Sequence, residues 1–193
     1  MKTSVGTNVA LIAVFAALIA AFALMPPLFM VGLVPFAVQI IVVLLAPLAI
    51  GPWQGFLANL LYVVVGIAGL PVFAGQRAGI AVVLGPTGGY LVGYMVSAIA
   101  VGYVASLVLR RRSAGVATIV GLTVASWVGV LVIHACGVVG LMLAGNKGQG
   151  MAFPNALAVT TPFVPLDLVK GLIAALIAAA IFKAFPRLLA MRR

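Results

Sequence analysis

Six long apolar runs, each ended by proline, glycine or a row of arginines, leave this chain few ways to fold. They fall at roughly residues 8–25, 34–50, 55–70, 86–109, 115–143 and 164–185. Pro26-Pro27, Gly51-Pro52, the stretch from Gly69-Leu70-Pro71 onward, Arg110-Arg111-Arg112 and the segment from Gly145 to Gly150 separate them. A helix needs about 20 apolar residues to cross the hydrocarbon core of a bilayer. In lipid only helices and closed barrels satisfy every backbone N–H and C=O, and these runs lack the alternation of barrel strands. The sequence therefore predicts an all-α membrane protein with six transmembrane helices, a single integral membrane domain over residues 1–193. The second and third helices are short, with Pro35 and Pro47 in the second. The fifth is long and needs a tilt or kink. The first run, Val9 to Met25, outlasts the roughly 7–15 residues of a signal-peptide core and reads as a membrane helix.

Composition supports lipid as the solvent. The chain is 66% hydrophobic and 6% charged, against about 25% charged in soluble domains. Its net charge of +10 does not point to nucleic acid, because no basic stretch carries interleaved aromatic residues. The cations instead set orientation. With the N-terminus in the cytoplasm, Lys2, Arg110, Arg111, Arg112, Lys183, Arg187, Arg192 and Arg193 fall inside, and Arg77 and Lys147 fall outside. Both termini are thus predicted to be cytoplasmic. One cysteine, Cys136, excludes an internal disulfide.

Asp167 is the only acidic residue. In this topology the sixth helix runs from outside to inside. Pro165 suits its first turn, and Asp167 follows, where the helix dipole favours a negative charge. Lys170 stands three residues on, along the same side. Gly171, Ala174 and Ala178 continue that side as a strip of small residues, which lets a backbone or a ligand come close. Asp167 could merely start the helix, with Lys170 neutralising it. Yet charges in membrane segments cost roughly 2.5–3.5 kcal/mol each on insertion scales, and a paired acid and base facing a bundle interior marks a functional site.

The stretch "LGPTGGYLVGY" (Leu84 to Tyr94) is the second unusual feature. It is not a Walker loop, which needs Gly-Lys-Ser/Thr, and no second acid exists to hold magnesium. Gly85, Gly89 and Gly93 fall four apart as a helix-packing seam. Gly88 and Gly89 also leave backbone groups open at the level of Asp167, with Tyr90 beside them. The first helix carries a stripe of Ala13, Ala17 and Ala21, with Ala16 and Ala20 alongside. It can meet a neighbouring helix or dock a second membrane protein. His134 and Cys136, two apart, face different sides of their helix. No metal site is expected, and His134 reads as a hydrogen-bonded interior histidine. Ser97, Ser106 and Ser126 lack the Gly-x-Ser-Gly setting of an intramembrane serine protease, and an aspartyl protease needs two acids, so an enzyme is not expected.

"VPFAVQ" (Val34 to Gln39), "GLPVFAG" (Gly69 to Gly75), "GPTGGYLVGY" and "PFVPLDLVKG" (Pro162 to Gly171) resemble, in order along the chain, the biotin-specific S components of energy-coupling-factor (ECF) transporters, the BioY family. That resemblance implies a six-helix protein of the cell membrane. It would bind biotin from outside and associate with a transmembrane T component and two ATPases that supply energy. It implies that Ala13 and Ala17 meet the T component, that Asp167 and Lys170 belong to the biotin site, and that the glycine turn of Gly88, Gly89 and Tyr90 lines it. The chemistry agrees. A carboxylate can accept the two ureido N–H groups of biotin, and an ammonium can donate to the ureido carbonyl. Trp53 and Tyr90 suit the thioether ring and aliphatic chain, and Arg77 suits the carboxylate tail. Gln39 and Asn59 are intramembrane polar residues that could simply join helices. No cofactor is implied beyond biotin as ligand. An S component for another vitamin and a structural membrane subunit are the other readings.

Overall fold

The computed structural model describes residues 5–26, 30–32, 34–111, 115–144 and 149–185, with Arg111 described in its backbone only. Lys2, Arg112, Lys147, Arg187, Arg192 and Arg193, on which much of the orientation rests, lie outside the described residues. Among the described residues, four apolar segments are long enough to cross a membrane. They are α1 (Val5–Ala23), α5 (Gly88–Arg111), α6 (Val116–Ala144) and a continuous stretch, Phe153–Ala184, made of α7 (Phe153–Thr160), a 3-10 turn (Thr161–Phe163) and α8 (Val164–Ala184). Two shorter apolar helices, α2 (Ile40–Ile50) and α3 (Pro52–Ile67), complete the bundle, with a single helical turn, α4 (Ile80–Val83), between α3 and α5. Large apolar side chains such as Leu107, Leu131 and Leu176 point outward. Such a surface suits lipid rather than water.

The helix expected over 34–50 starts only at Ile40. Met30–Val31 (β1) and Val34–Pro35 (β2) instead form a small antiparallel hairpin, so the chain is not purely helical. Pro35 has no N–H to give a helix, and the segment is extended. What is left, α2, has 11 residues, about 16 Å of helix, or half of the roughly 30 Å hydrocarbon core. It is apolar all round and buried along nearly its whole length, as a helix at the centre of a bundle must be. Its far end turns into α3 through Gly51, whose φ of +108° lies where side chains other than glycine's are strained. Gly55 then packs on Pro47: a methyl at Gly55 would lie 2.6 Å from the Pro47 Cα.

The other helices enclose α2. Helix α6, with 29 residues, is about 43 Å long and exceeds the hydrocarbon thickness. It pairs with α5 along a glycine seam, where a methyl at Gly89 would lie 2.7 Å from the Gly140 Cα. Helix α8 buries Asp167, Lys170, Gly171, Ala174, Ala175, Ala178 and Phe182, the strip of small residues read from the sequence. Gly171 lets the α6 backbone approach at Ser126 and Trp127. The Trp127 indole N–H donates to the Leu168 carbonyl at 3.0 Å across that crossing.

Candidate substrate-binding site

Asp167 enters the interior on the first turn of α8, with Pro165 beside it. Lys170, on the next turn, donates from Nζ to Asp167 Oδ1 at 2.6 Å. Both are buried, at 2% and 5% exposure. The ammonium also donates to the Ala37 carbonyl at 2.9 Å and lies 3.5 Å from the centroid of the Phe36 ring, a desolvated cation–π contact. Lys170 therefore neutralises the acid and ties the segment between β2 and α2 down onto α8. The other carboxylate oxygen, Oδ2, lies 2.9 Å from Nε2 of His134 on α6. The His134 ring meets Tyr90 edge to face, centroids 6.1 Å apart. The Tyr90 hydroxyl is 2.8 Å from Oγ1 of Thr160 at the end of α7. A buried charge that loses its partner destabilises a protein by about 3–5 kcal/mol. Here donors on two helices hold the carboxylate.

A cavity of about 40 Å³ adjoins this cluster. Asp167, Tyr90 and Thr87 are among its polar walls, with Gln39 just before α2 and Tyr94 of α5. Val34, Pro35 and Ala37 line it from the hairpin side, and Phe73, Ala74 and Arg77 from the loop after α3. That loop turns on itself: Phe73 and Arg77 form an antiparallel bridge. Gly75 and Gln76 between them have φ of +74° and +58°. Oγ1 of Thr87 is buried without a hydrogen-bond partner. A buried hydroxyl left unpaired costs about 1–3 kcal/mol, and this one belongs to a residue lining the cavity.

The residues singled out in the sequence divide sharply. Asp167, Lys170 and Tyr90 converge as described, although Lys170 does not line the cavity. Arg77 does line it, from an exposed turn where its Nε donates to the Ala74 carbonyl at 3.2 Å. Gly88 and Gly89 are not in the cavity wall. A side chain at Gly88 would collide with the Val83 carbonyl, and Gly89 meets Gly140; both are packing residues. Trp53 does not line the cavity and is 61% exposed. Pro52, next to it, abuts Gly102 of α5, twelve residues or about 18 Å along the helix from Tyr90. Ala13 and Ala17 lie on an exposed face of α1, along a groove shared with Leu61 and Val65 of α3. Gln39 joins helices: its amide N–H donates to the Tyr94 hydroxyl at 3.1 Å and its oxygen accepts from Tyr62 at 3.4 Å. Asn59 bonds only within α3, to the Gly55 carbonyl at 2.9 Å. Thr87 and Tyr94, both inside the glycine motif, line the cavity without having been marked by their sequence pattern as site residues. His134 was legible as an interior histidine but not as the partner of Asp167. Among the described residues, no three His, Cys, Asp or Glu side chains gather as a metal-binding group.

Known proteins share this sequence and this fold. A model of the BioY family matches residues 1–187. The chain is 36% identical to the biotin transporter BioY of Rhodobacter capsulatus over 96% of its own length and 98% of that protein. It is 32% identical to the biotin transporter BioY of Rhizobium etli, over 94% and 96%. The structure superposes with a TM-score of 0.78 on the crystal structure of the S-component for biotin from an ECF-type ABC transporter, at 20% identity, covering 94% of this chain and 95% of that one. ThiT from Listeria monocytogenes follows with a TM-score of 0.64 at 15% identity, over 95% and 97%. The fold is that of an S component, and the relatives from Rhodobacter capsulatus and Rhizobium etli are biotin transporters by name. This chain belongs to the BioY family.

Proposed function

We propose that the protein is the biotin-capturing S component of an ECF-type transporter in the plasma membrane. As one membrane unit of six helices with both termini cytoplasmic, it takes biotin from the outer side, and a T component with two ATPases drives uptake. The observation that carries this reading is Asp167. A lone buried carboxylate with a donor on each oxygen keeps further lone pairs for the two ureido N–H groups of biotin. Lys170 already has three partners, so the ureido carbonyl is better served by the hydroxyls of Thr87 and Tyr90. Arg77, in the exposed turn, meets the carboxylate tail in this reading; its lining of the cavity supports that. Pockets for ligands of this size hold roughly 300–1,000 Å³, well above the cavity present, so seating biotin widens the cavity.

Native mass spectrometry of the purified protein tests this, with biotin and with other water-soluble vitamins offered in equal amounts. Selective retention of one biotin per chain is expected. Retention of a different vitamin would make the protein an S component for that vitamin. Retention of none would leave a structural membrane subunit.

A further inference from the structure

We propose that His134 is a positioning residue of the ligand site, fixing the Asp167 carboxylate through its Nε2–H; this rests on the biotin-binding reading above. The ring is 6% exposed, and its two nitrogens are in unlike surroundings. Nε2 is 2.9 Å from Asp167 Oδ2, whereas Nδ1 is buried without a hydrogen-bond partner. The other oxygen, Oδ1, already accepts from Lys170, and a carboxylate oxygen in such an ion pair accepts rather than donates. The proton in the contact therefore belongs to the imidazole. A second proton on Nδ1 would be a buried cationic donor with no acceptor, more costly than a bare lone pair. Nε2 is thus the nitrogen that carries hydrogen toward Asp167.

The consequence is geometric. Lys170 sits on the same helix as Asp167 and alone would leave the carboxylate free to swing about its bond to the chain. His134 holds the second oxygen from α6, so donors on two helices define the carboxylate plane. Tyr90 from α5 packs edge-on against the same ring and also lines the cavity. The ring is thus wedged between two cavity walls without entering the cavity itself.

His134 is the only histidine in the chain, so the tautomer can be read directly. Imidazole-15N-labelled protein should show Nε2 protonated and Nδ1 unprotonated. Hydrogen on Nδ1 alone would overturn the proposal. In calorimetric titrations with biotin, His134→Leu should bind at least about tenfold more weakly than the parent. His134→Gln, whose amide N–H reaches about as far as Nε2–H, should stay within about threefold, and His134→Asn, too short, should resemble the leucine variant. A folded His134→Leu protein with parental affinity sinks the idea. If the leucine variant does not fold, equal affinities for the Gln and Asn variants sink it instead. Failure of the parent to bind biotin would end the biotin reading, while the nitrogen spectrum still reports whether His134 clamps Asp167.

Discussion

Replacing Asp167 by Asn changes one atom of the site and upsets three contacts. The amide keeps the shape and loses the charge. Its oxygen can face Lys170 or His134, and its NH₂ then faces the other, a donor against a donor. Lys170, 5% exposed, keeps Ala37 and Phe36 but gives up the 2.6 Å ion pair. Removing one member of a buried pair typically costs about 3–5 kcal/mol of stability. On the ligand side, hydrogen bonds to a charged group contribute about 1.5–3 kcal/mol. Losing one weakens biotin binding by about ten- to a hundred-fold, at 1.4 kcal/mol per factor of ten. Lys170→Met should also weaken binding, by freeing the segment at Phe36 and Ala37 from α8. The double variant should lose less than the two single losses added, because it leaves no unpaired ion and the groups act together. Titration calorimetry in detergent measures the affinities, with thermal melting and size-exclusion profiles alongside. Well-folded Asp167→Asn protein that binds biotin as tightly as the parent would refute the reasoning and reduce Asp167 to a helix-start residue.

Other expectations test separate parts of the structure. Trp53→Ala should leave biotin affinity within about twofold, since truncating a side chain far from the site removes no ligand contact; a tenfold loss by the same calorimetry would contradict its placement. Gly89→Val should overpack the α5–α6 seam at Gly140 and destabilise the protein by about 1–3 kcal/mol, read as a lowered melting temperature. Leu at both Ala13 and Ala17 should leave biotin binding intact and lower ATP-driven uptake in vesicles holding the T component and ATPases. Unchanged uptake would remove this face of α1 as the docking surface.

What could be read in the sequence was mostly local. Asp167 and Lys170 are a helical turn apart, so their pairing needs only the helical repeat. The strip Gly171, Ala174 and Ala178 follows from the same repeat, and all three are buried. His134 meets Asp167 across 33 positions, which depends on the vertical register of two antiparallel helices. Nothing in an apolar run fixes that register. The hairpin before α2 was hidden because Val34, Pro35 and Phe36 are as apolar as the helix they precede. Trp53 suits biotin by chemistry alone, and depth separates it from the site: it opens α3, next to Pro52, which abuts Gly102 about 18 Å along α5 from Tyr90. Gly88 and Gly89 serve packing because both contacts, with Val83 and with Gly140, are too close for any side chain.

The pairing of Asp167 with Lys170 also has an electrical consequence. The ion pair of Asp167 and Lys170 is a dipole of zero net charge. A membrane potential does about 2.3 kcal/mol of work per 100 mV on one elementary charge that crosses the whole field. It does no comparable work on a fixed, compensated pair. In the orientation proposed here, a cell interior held negative would resist the entry of a carboxylate-bearing vitamin. The Asp167–Lys170 pair adds no net charge to offset that resistance, so within the cavity wall that task falls to Arg77, and removing this one cation should make uptake more sensitive to voltage.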